Sequence, residues 1–392
     1  MTTAPAIYLD HNATTPLAPE VLAAMLPFLQ KGFANPSSPS GPGGRVKTAM
    51  GEARKAVAAL LGADPAEIVF TSGATESNHT AILGALSAAP GKRHIITSIV
   101  EHPSILLMCR HLEGLGVPVT YLPVDRHGAL DLDGLKAAMR PDTALVSLMW
   151  ANNETGVLFP IAEAAAIVRA HGALFHTDAT QAVGKLPIDL CEVPVDMLSF
   201  SGHKLHGPKG VGVLYVRKGY ALPPLFHGHQ ERGRRGGTEN VPAIIGLGVA
   251  CRLAQTAMSH ELMRMGALRD RLEEGILAFM PCARIHGQDV PRVPNTSNVG
   301  FATLDAEAIL HRLEREGVIA ATGAACAAGG NEPSHVLMAM GRTQEEALAS
   351  IRFSLGRDTS EADIDRLLEL LPSVLLDMVE PPGSKTKASA CF

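Results

Sequence analysis

Residues Ser199-Phe-Ser-Gly-His-Lys-Leu-His-Gly-Pro-Lys-Gly210 decide how this chain is read. An apolar strand ends there in a turn that carries Lys204, and His176-Thr-Asp178-Ala-Thr-Gln181 ends another apolar strand just upstream. A lysine amine condenses with a cofactor aldehyde only where burial or neighbouring charge lowers its pKa, and the pyridine nitrogen of such a cofactor needs an acidic partner. Lys204 and Asp178 suit these two roles, which points to pyridoxal 5'-phosphate. Taken singly, Lys204 reads as a surface lysine and Asp178 as a helix cap. The combination carries the inference.

The remaining composition narrows the field. With 392 residues, 46% of them hydrophobic, the chain can bury a large core in one large or two medium domains. A net charge of -5 without long charged runs gives no electrostatic reason to expect nucleic acid or an anionic membrane as partner. There is no run of about 18 apolar residues and no charged start followed by an apolar signal core, so a cytoplasmic location is expected. Cys109, Cys191, Cys251, Cys282, Cys326 and Cys391 show neither a Cys-x-x-Cys pair nor zinc spacing, and are expected to be free thiols.

Short β-branched runs alternate with helical patterns at Ile68 to Thr71, His94 to Ser98, Val117 to Leu122, Thr143 to Trp150, Leu174 to Thr177, Met197 to Phe200 and Val211 to Val216. This predicts an α/β fold with a mostly parallel seven-stranded sheet, whose ligand crevice lies at the carboxyl ends of the strands. From about Ala243 the pattern changes to long amphipathic helices, which predicts a smaller α+β C-terminal domain. The expected division is 16–256 for the large cofactor-binding domain, and 1–15 with 257–380 for the small domain carrying the cysteine loop. The Pro-led polar tail 381–392 is expected to be mobile.

Several loops after strands carry suitable chemistry. Ser72-Gly-Ala74-Thr75-Glu-Ser-Asn78 opens a helix with small residues whose N–H groups can bind an anion, and Ser201 and His203 can complete that cradle. His102, after the strand ending at Ser98, can stack on a flat ring and relay protons. Asn153, in Ala151-Asn-Asn-Glu-Thr-Gly156, and Gln181 can hydrogen-bond cofactor or substrate oxygens. Arg352, in Ser350-Ile-Arg-Phe-Ser-Leu-Gly356, is a bidentate partner for an amino-acid carboxylate. Cys326, within Ala321-Thr-Gly-Ala-Ala-Cys-Ala-Ala-Gly-Gly330, has little bulk around it and is read as a nucleophile. Gly207-Pro-Lys-Gly-Val-Gly212 fits neither a P-loop nor a dinucleotide fingerprint, which argues against a nucleotide.

From Tyr8-Leu-Asp-His-Asn-Ala-Thr-Thr-Pro16 to about Arg357 the chain resembles the cysteine desulfurases, fold type I pyridoxal-phosphate enzymes of aminotransferase class V. Trp150-Ala-Asn-Asn-Glu-Thr-Gly156 and His229-Gln-Glu-Arg-Gly-Arg-Arg-Gly-Gly-Thr-Glu-Asn240 look most like the nitrogen-fixation branch, which supplies sulfur to nitrogenase clusters. The resemblance makes Lys204 the Schiff-base lysine, Asp178 the pyridinium partner and His102 the stacking ring. It assigns Ala74, Thr75, Ser201 and His203 to the phosphate, and Gln181 and Asn153 to cofactor or substrate. It implies a homodimer in which Thr238 reaches the partner's phosphate. It places Asn35 and Arg352 on the carboxylate of L-cysteine, and makes Cys326 the persulfide-forming residue that donates sulfur to an iron-sulfur scaffold protein. Through that persulfide Cys326 is also a candidate transient iron-sulfur ligand.

The chain departs from the family pattern in two places: alanines replace the serines usual around the cysteine, and Pro39-Ser-Gly-Pro-Gly-Gly44 stands where a histidine is frequent. The rival readings are a selenocysteine lyase or aminotransferase on the same fold, and a non-catalytic sulfur-carrier subunit.

Overall fold

The computed structural model describes residues 6–302, 304–323 and 332–376, so Cys326 and the tail lie outside the described residues. Strand β1 (Ile7–Tyr8) precedes a sheet built from β2 (Ile68–Thr71), β3 (His94–Ser98), β4 (Val119–Leu122), β5 (Thr143–Met149), β6 (Leu174–Asp178), β7 (Met197–Ser201) and β8 (Gly212–Val216). Its order is β2-β8-β7-β6-β5-β3-β4, with only β8 antiparallel to its neighbours. These are the seven predicted strands, two of them starting a residue or two later than their apolar runs. Every residue of β5, β7 and β8 is buried, as expected of strands covered on both faces.

Helices α1 (Pro19–Gln30), α2 (Gly41–Leu61), α3 (Ala74–Ala88) and α4 (Pro103–Gly114) bring the N-terminal half onto this sheet. The unusual stretch 39–44 becomes the start of α2. Ser40 caps it by accepting from Gly43 N at 3.2 Å, and a Cβ on Gly43 would lie 2.5 Å from the Ser38 carbonyl oxygen. The helix stops at Gly62, whose φ of 62° is the left-handed conformation that suits glycine.

The helix Val241–Phe279 is long and apolar enough by composition to cross a membrane. Its apolar residues Ile244, Leu247, Ala250 and Cys251 are instead buried in the sheet-side core. Gly246 and Gly248 permit this, since Cβ atoms there would lie 2.8 Å from Met25 Sδ and 2.6 Å from Ala53 Cα. Its later residues Leu268, Leu272 and Ile276 join a second apolar cluster with Leu9, Val299, Phe353 and Leu371. That cluster backs an antiparallel sheet of order β12-β13-β10-β9, made of β9 (Arg284–Ile285), β10 (Thr296–Gly300), β12 (Ala321–Thr322) and β13 (Ser350–Ser354). Strand β1 pairs with β11 (Val318–Ile319), so the N-terminal strand returns to the C-terminal half as the sequence suggested.

Cys109, Cys191 and Cys251 are free thiols as expected. Cys282, on the turn before β9, is not: it takes part in a disulfide.

Candidate active site

Lys204 ends the short turn Gly202–Lys204 that leaves β7. The turn is pinned by Gly207 N donating to Gly202 O at 3.0 Å and His206 N donating to Thr15 Oγ1 at 2.8 Å, with His206 in the left-handed region at φ 60°. Lys204 Nζ donates to the carbonyls of Asn12 and Ala13.

Asn12 is the hub beneath this lysine. Its side chain donates to Asn153 O at 3.1 Å and Thr296 Oγ1 at 2.8 Å, and accepts from Lys185 Nζ at 2.9 Å and Asn295 Nδ2 at 3.2 Å. Its carbonyl also accepts from Gln181 Nε2 at 3.0 Å. One residue thus ties the N-terminal segment to the loops after β5, β6 and β7 and to β10.

Asp178 closes β6 and is buried. Its carboxylate accepts from Asn78 Nδ2 at 2.8 Å and from Thr180 N at 3.0 Å, which fixes its plane. Asn78 Nδ2 also donates to Ser104 Oγ at 2.9 Å, and Ser104 Oγ stands 2.9 Å from His102 Nδ1. A continuous chain therefore joins Asp178, Asn78, Ser104 and His102. Because the backbone N–H of Ser104 donates to His102 Nδ1, the neutral imidazole carries its hydrogen on Nε2. Burial lowers the His102 pKa, Asp178 opposes this, and Lys204 and His335 add to it, so the ring is neutral at pH 7.

Next to it, Glu101 is fully buried and its pKa is pushed up to about 8, chiefly by burial. It holds β3 to β5 by accepting from Ser98 Oγ at 2.7 Å and Met149 N at 2.9 Å.

The turn between β2 and α3 has the form of an anion cradle. No side chain caps α3 at Gly73, so its first N–H groups are available to a ligand. Gly212 lets β8 pass against this turn, since a Cβ there would lie 2.6 Å from Gly73 Cα. His203 Nδ1 stands 3.1 Å from Thr14 Oγ1, and its pKa is lowered to about 4 by burial and by the Lys204 and Lys209 charges. Glu76 would repel an anion here, but Arg235 pairs with it at 2.9 Å and holds its carboxyl below the usual range despite burial.

Lys204, Asn12, Asp178, Ser104, His102, Gly73, His203 and Glu76 from these groups line one cavity of about 700 Å³, within the range of small-molecule sites. Of the residues singled out from sequence, it contains Ala74, Thr75, His102, Asn153, Asp178, Gln181, Ser201, His203, Lys204 and Arg352. Arg352 enters from β13 and donates to Asp10 Oδ1 at 2.6 Å and Asn153 O at 3.2 Å, while its buried Nε has no partner among the described residues. Strand β12, which leads toward Cys326, pairs Ala321 with Arg352.

Three predicted residues stand elsewhere. Asn35 is on an exposed turn, its side chain accepting from Ser37 N at 2.8 Å. Thr238 lines a separate cavity of about 240 Å³ with Ser72 and Gly210. Cys326 lies outside the described residues, and no group of three or more His, Cys, Asp or Glu suited to a metal occurs among the described ones. Sequence reasoning assigned no role to Asn12, Asp10, Asn78, Ser104 or Lys185. The first two lie inside the quoted motif Tyr8 to Pro16, which was the available signal.

A lysine after one sheet strand, an acid at the end of the neighbouring strand and an uncapped helix start point to one class, and residues 7–367 match the aminotransferase class-V family, to which the chain belongs. Within that family it is similar to a cysteine desulfurase of Cereibacter sphaeroides, 54% identical over 97% of this chain and 98% of the relative. It is also similar to the cysteine desulfurase NifS of Azotobacter vinelandii, 50% identical over 95% of this chain and 93% of that protein. A solved structure described as a NifS-like protein superposes with a TM-score of 0.89 at 37% identity, covering 95% of this chain and all of that one.

Proposed function

We propose that this protein is a pyridoxal-phosphate-dependent cysteine desulfurase acting as a homodimer, which converts L-cysteine to L-alanine and carries the sulfur as a persulfide on Cys326. The observation that supports this most is the convergence of Lys204, Asp178, Gln181, His102 and Arg352 on one cavity, in a chain half identical to named desulfurases.

The residues fit the cofactor. The uncapped start of α3 with Thr75, Ser201 and neutral His203 suits a phosphate; Thr238 would reach that of the partner subunit. The buried Asp178 suits a pyridinium nitrogen. Thr180 Oγ1, a buried hydroxyl in the cavity wall with no partner among the described residues, has capacity left for a ligand. When bound, pyridoxal phosphate supplies an electron sink for negative charge at the substrate α-carbon.

The chain's own groups do the rest. Arg352 binds the substrate carboxylate with the guanidinium edge that Asp10 leaves open, and Asn153 steadies it. Lys204 Nζ takes up the α-proton and later returns one. His102, with its hydrogen on Nε2, can pass a proton at that atom. Cys326 Sγ, as thiolate, attacks the substrate sulfur: the S–S bond forms as the substrate C–S bond breaks, and protonation of the carbon gives alanine. The persulfide sulfur then passes to an iron-sulfur scaffold protein, with nitrogenase maturation as the destination that the likeness to NifS favours.

Reconstitution with pyridoxal phosphate tests the reading. Wild type should gain a visible absorbance band and release alanine from L-cysteine, and Lys204→Ala should bind the cofactor without turnover. A wild type that takes up no cofactor, or a Lys204→Ala protein that keeps full turnover, refutes it. An aminotransferase on this fold would yield a keto acid without sulfide.

A further inference from the structure

The turn after Asp178 holds a second lysine that the proposed reaction does not use. Lys185 Nζ lies 2.6 Å from Gln181 Oε1 and 2.9 Å from Asn12 Oδ1. Burial, then the Lys204 and Arg352 charges, hold its pKa well below that of a free lysine. As amine or ammonium it still has N–H groups for both oxygens.

Both amides it touches are fixed in one sense. Asn12 Nδ2 must be the nitrogen, because it faces the carbonyl of Asn153, which only accepts. Gln181 Nε2 must be the nitrogen, because it faces the carbonyl of Asn12, the same oxygen that receives Lys204 Nζ. Their oxygens are thereby turned to Lys185. Without an N–H donor there, Gln181 Oε1 would lose the Lys185 bond, the amide would be held only by its bond from Nε2 to the Asn12 carbonyl, and rotation that presents oxygen to the cavity would become easier. An oxygen there would repel an anionic cofactor oxygen, whereas N–H attracts it.

We infer that Lys185 is a positioning residue that locks the Gln181 side-chain amide with its N–H toward the cavity around Lys204, where it serves the phenolic oxygen of the cofactor. This rests on the pyridoxal-phosphate reading of the site. Lys185 also lines a second cavity of about 390 Å³ on the other side of Lys204, with His11, His206, Glu261, Arg357 and Asp358. Of the charges around it, those of Lys204 and Arg352 act on it most.

The test titrates the visible band of the reconstituted protein against pH in wild type, Lys185→Met, Lys185→Arg, Gln181→Leu and the Lys185→Met/Gln181→Leu pair, with the pyridoxal-phosphate dissociation constant of each. A donor N–H favours the deprotonated cofactor, so its loss moves the pH midpoint upward. Lys185→Met should raise the midpoint by about one unit and weaken retention about tenfold, each equivalent to about 1.4 kcal/mol. Gln181→Leu should show the same shift, the pair no further shift, and Lys185→Arg a midpoint close to wild type. An unmoved midpoint in Lys185→Met, or shifts that add in the pair, overturns the inference. Should Lys185→Met not fold, Lys185→Gln replaces it, with a smaller upward shift expected and none refuting. A wild type without any band overturns the cofactor reading itself, which separates the two failures.

Discussion

Asn78 lines none of the cavity wall, yet replacing it should cripple the site. Its amide nitrogen alone spans Asp178 Oδ2 at 2.8 Å and Ser104 Oγ at 2.9 Å, and it is fully buried. Asn78→Ala removes one hydrogen bond to a charged carboxylate, worth about 1.5–3 kcal/mol, and one neutral bond worth about 1 kcal/mol. Among the described residues Asp178 keeps its bond from Thr180 N and gains freedom to turn, while Ser104 is released to reorient against His102. If the charged bond is the share felt in the transition state, kcat/KM for alanine release from L-cysteine falls roughly 10- to 150-fold. Initial rates across L-cysteine concentrations, with cofactor occupancy read from absorbance, measure this. Asn78→Asp, which sets a second carboxylate against Asp178, should do worse. A kcat/KM for Asn78→Ala within about threefold of wild type at full cofactor occupancy, below the loss of one neutral hydrogen bond, would refute the idea that this chain orients the acid.

The other predictions concern the groups around it. Glu101 is held protonated up to about pH 8 in the folded state against an ordinary value of 4.5, so the unfolded state loses its proton first and folding stability drains away as pH rises from 4.5 to about 8. Glu101→Gln lacks that proton, so urea midpoints should show the variant gaining on wild type across this window, by at most about 1.4 kcal/mol per pH unit; parallel curves would contradict it. Gly212→Ala places a methyl 2.6 Å from the Gly73 backbone, which has no room to give. The anion turn must move, at a cost of about 1–3 kcal/mol, and cofactor retention measured by dialysis should drop at least about tenfold. Arg352→Ala takes the Arg352 ion pair from Asp10 and should lower kcat/KM for L-cysteine about 10- to 150-fold, mainly through KM; Arg352→Lys should not restore it, lacking the planar fork.

Sequence patterning located the seven strands and the loops after them because buried strands are continuous β-branched runs and the reactive residues sit just past their carboxyl ends. It also anticipated the return of the N-terminal strand. What it missed is what long-range folding creates. Asn12 gains its role from Thr296, 284 positions away, and Ser354, 342 positions away, contacts that no local pattern encodes. Asn78 was visible only as part of a helix start; its bridge reaches across 100 positions to Asp178. Lys185 resembles any polar turn lysine until its two amide partners are seen. Asn35 and Thr238 were carried by resemblance alone, and within one subunit neither lines the main cavity.

The most direct test of the account is the stoichiometry of alanine and sulfide released from L-cysteine by the cofactor-loaded protein with a reductant, in wild type and Cys326→Ala. Equal amounts from wild type, both abolished in Cys326→Ala while the cofactor absorbance persists, are what the account predicts. Alanine and sulfide at wild-type rates from Cys326→Ala would contradict it.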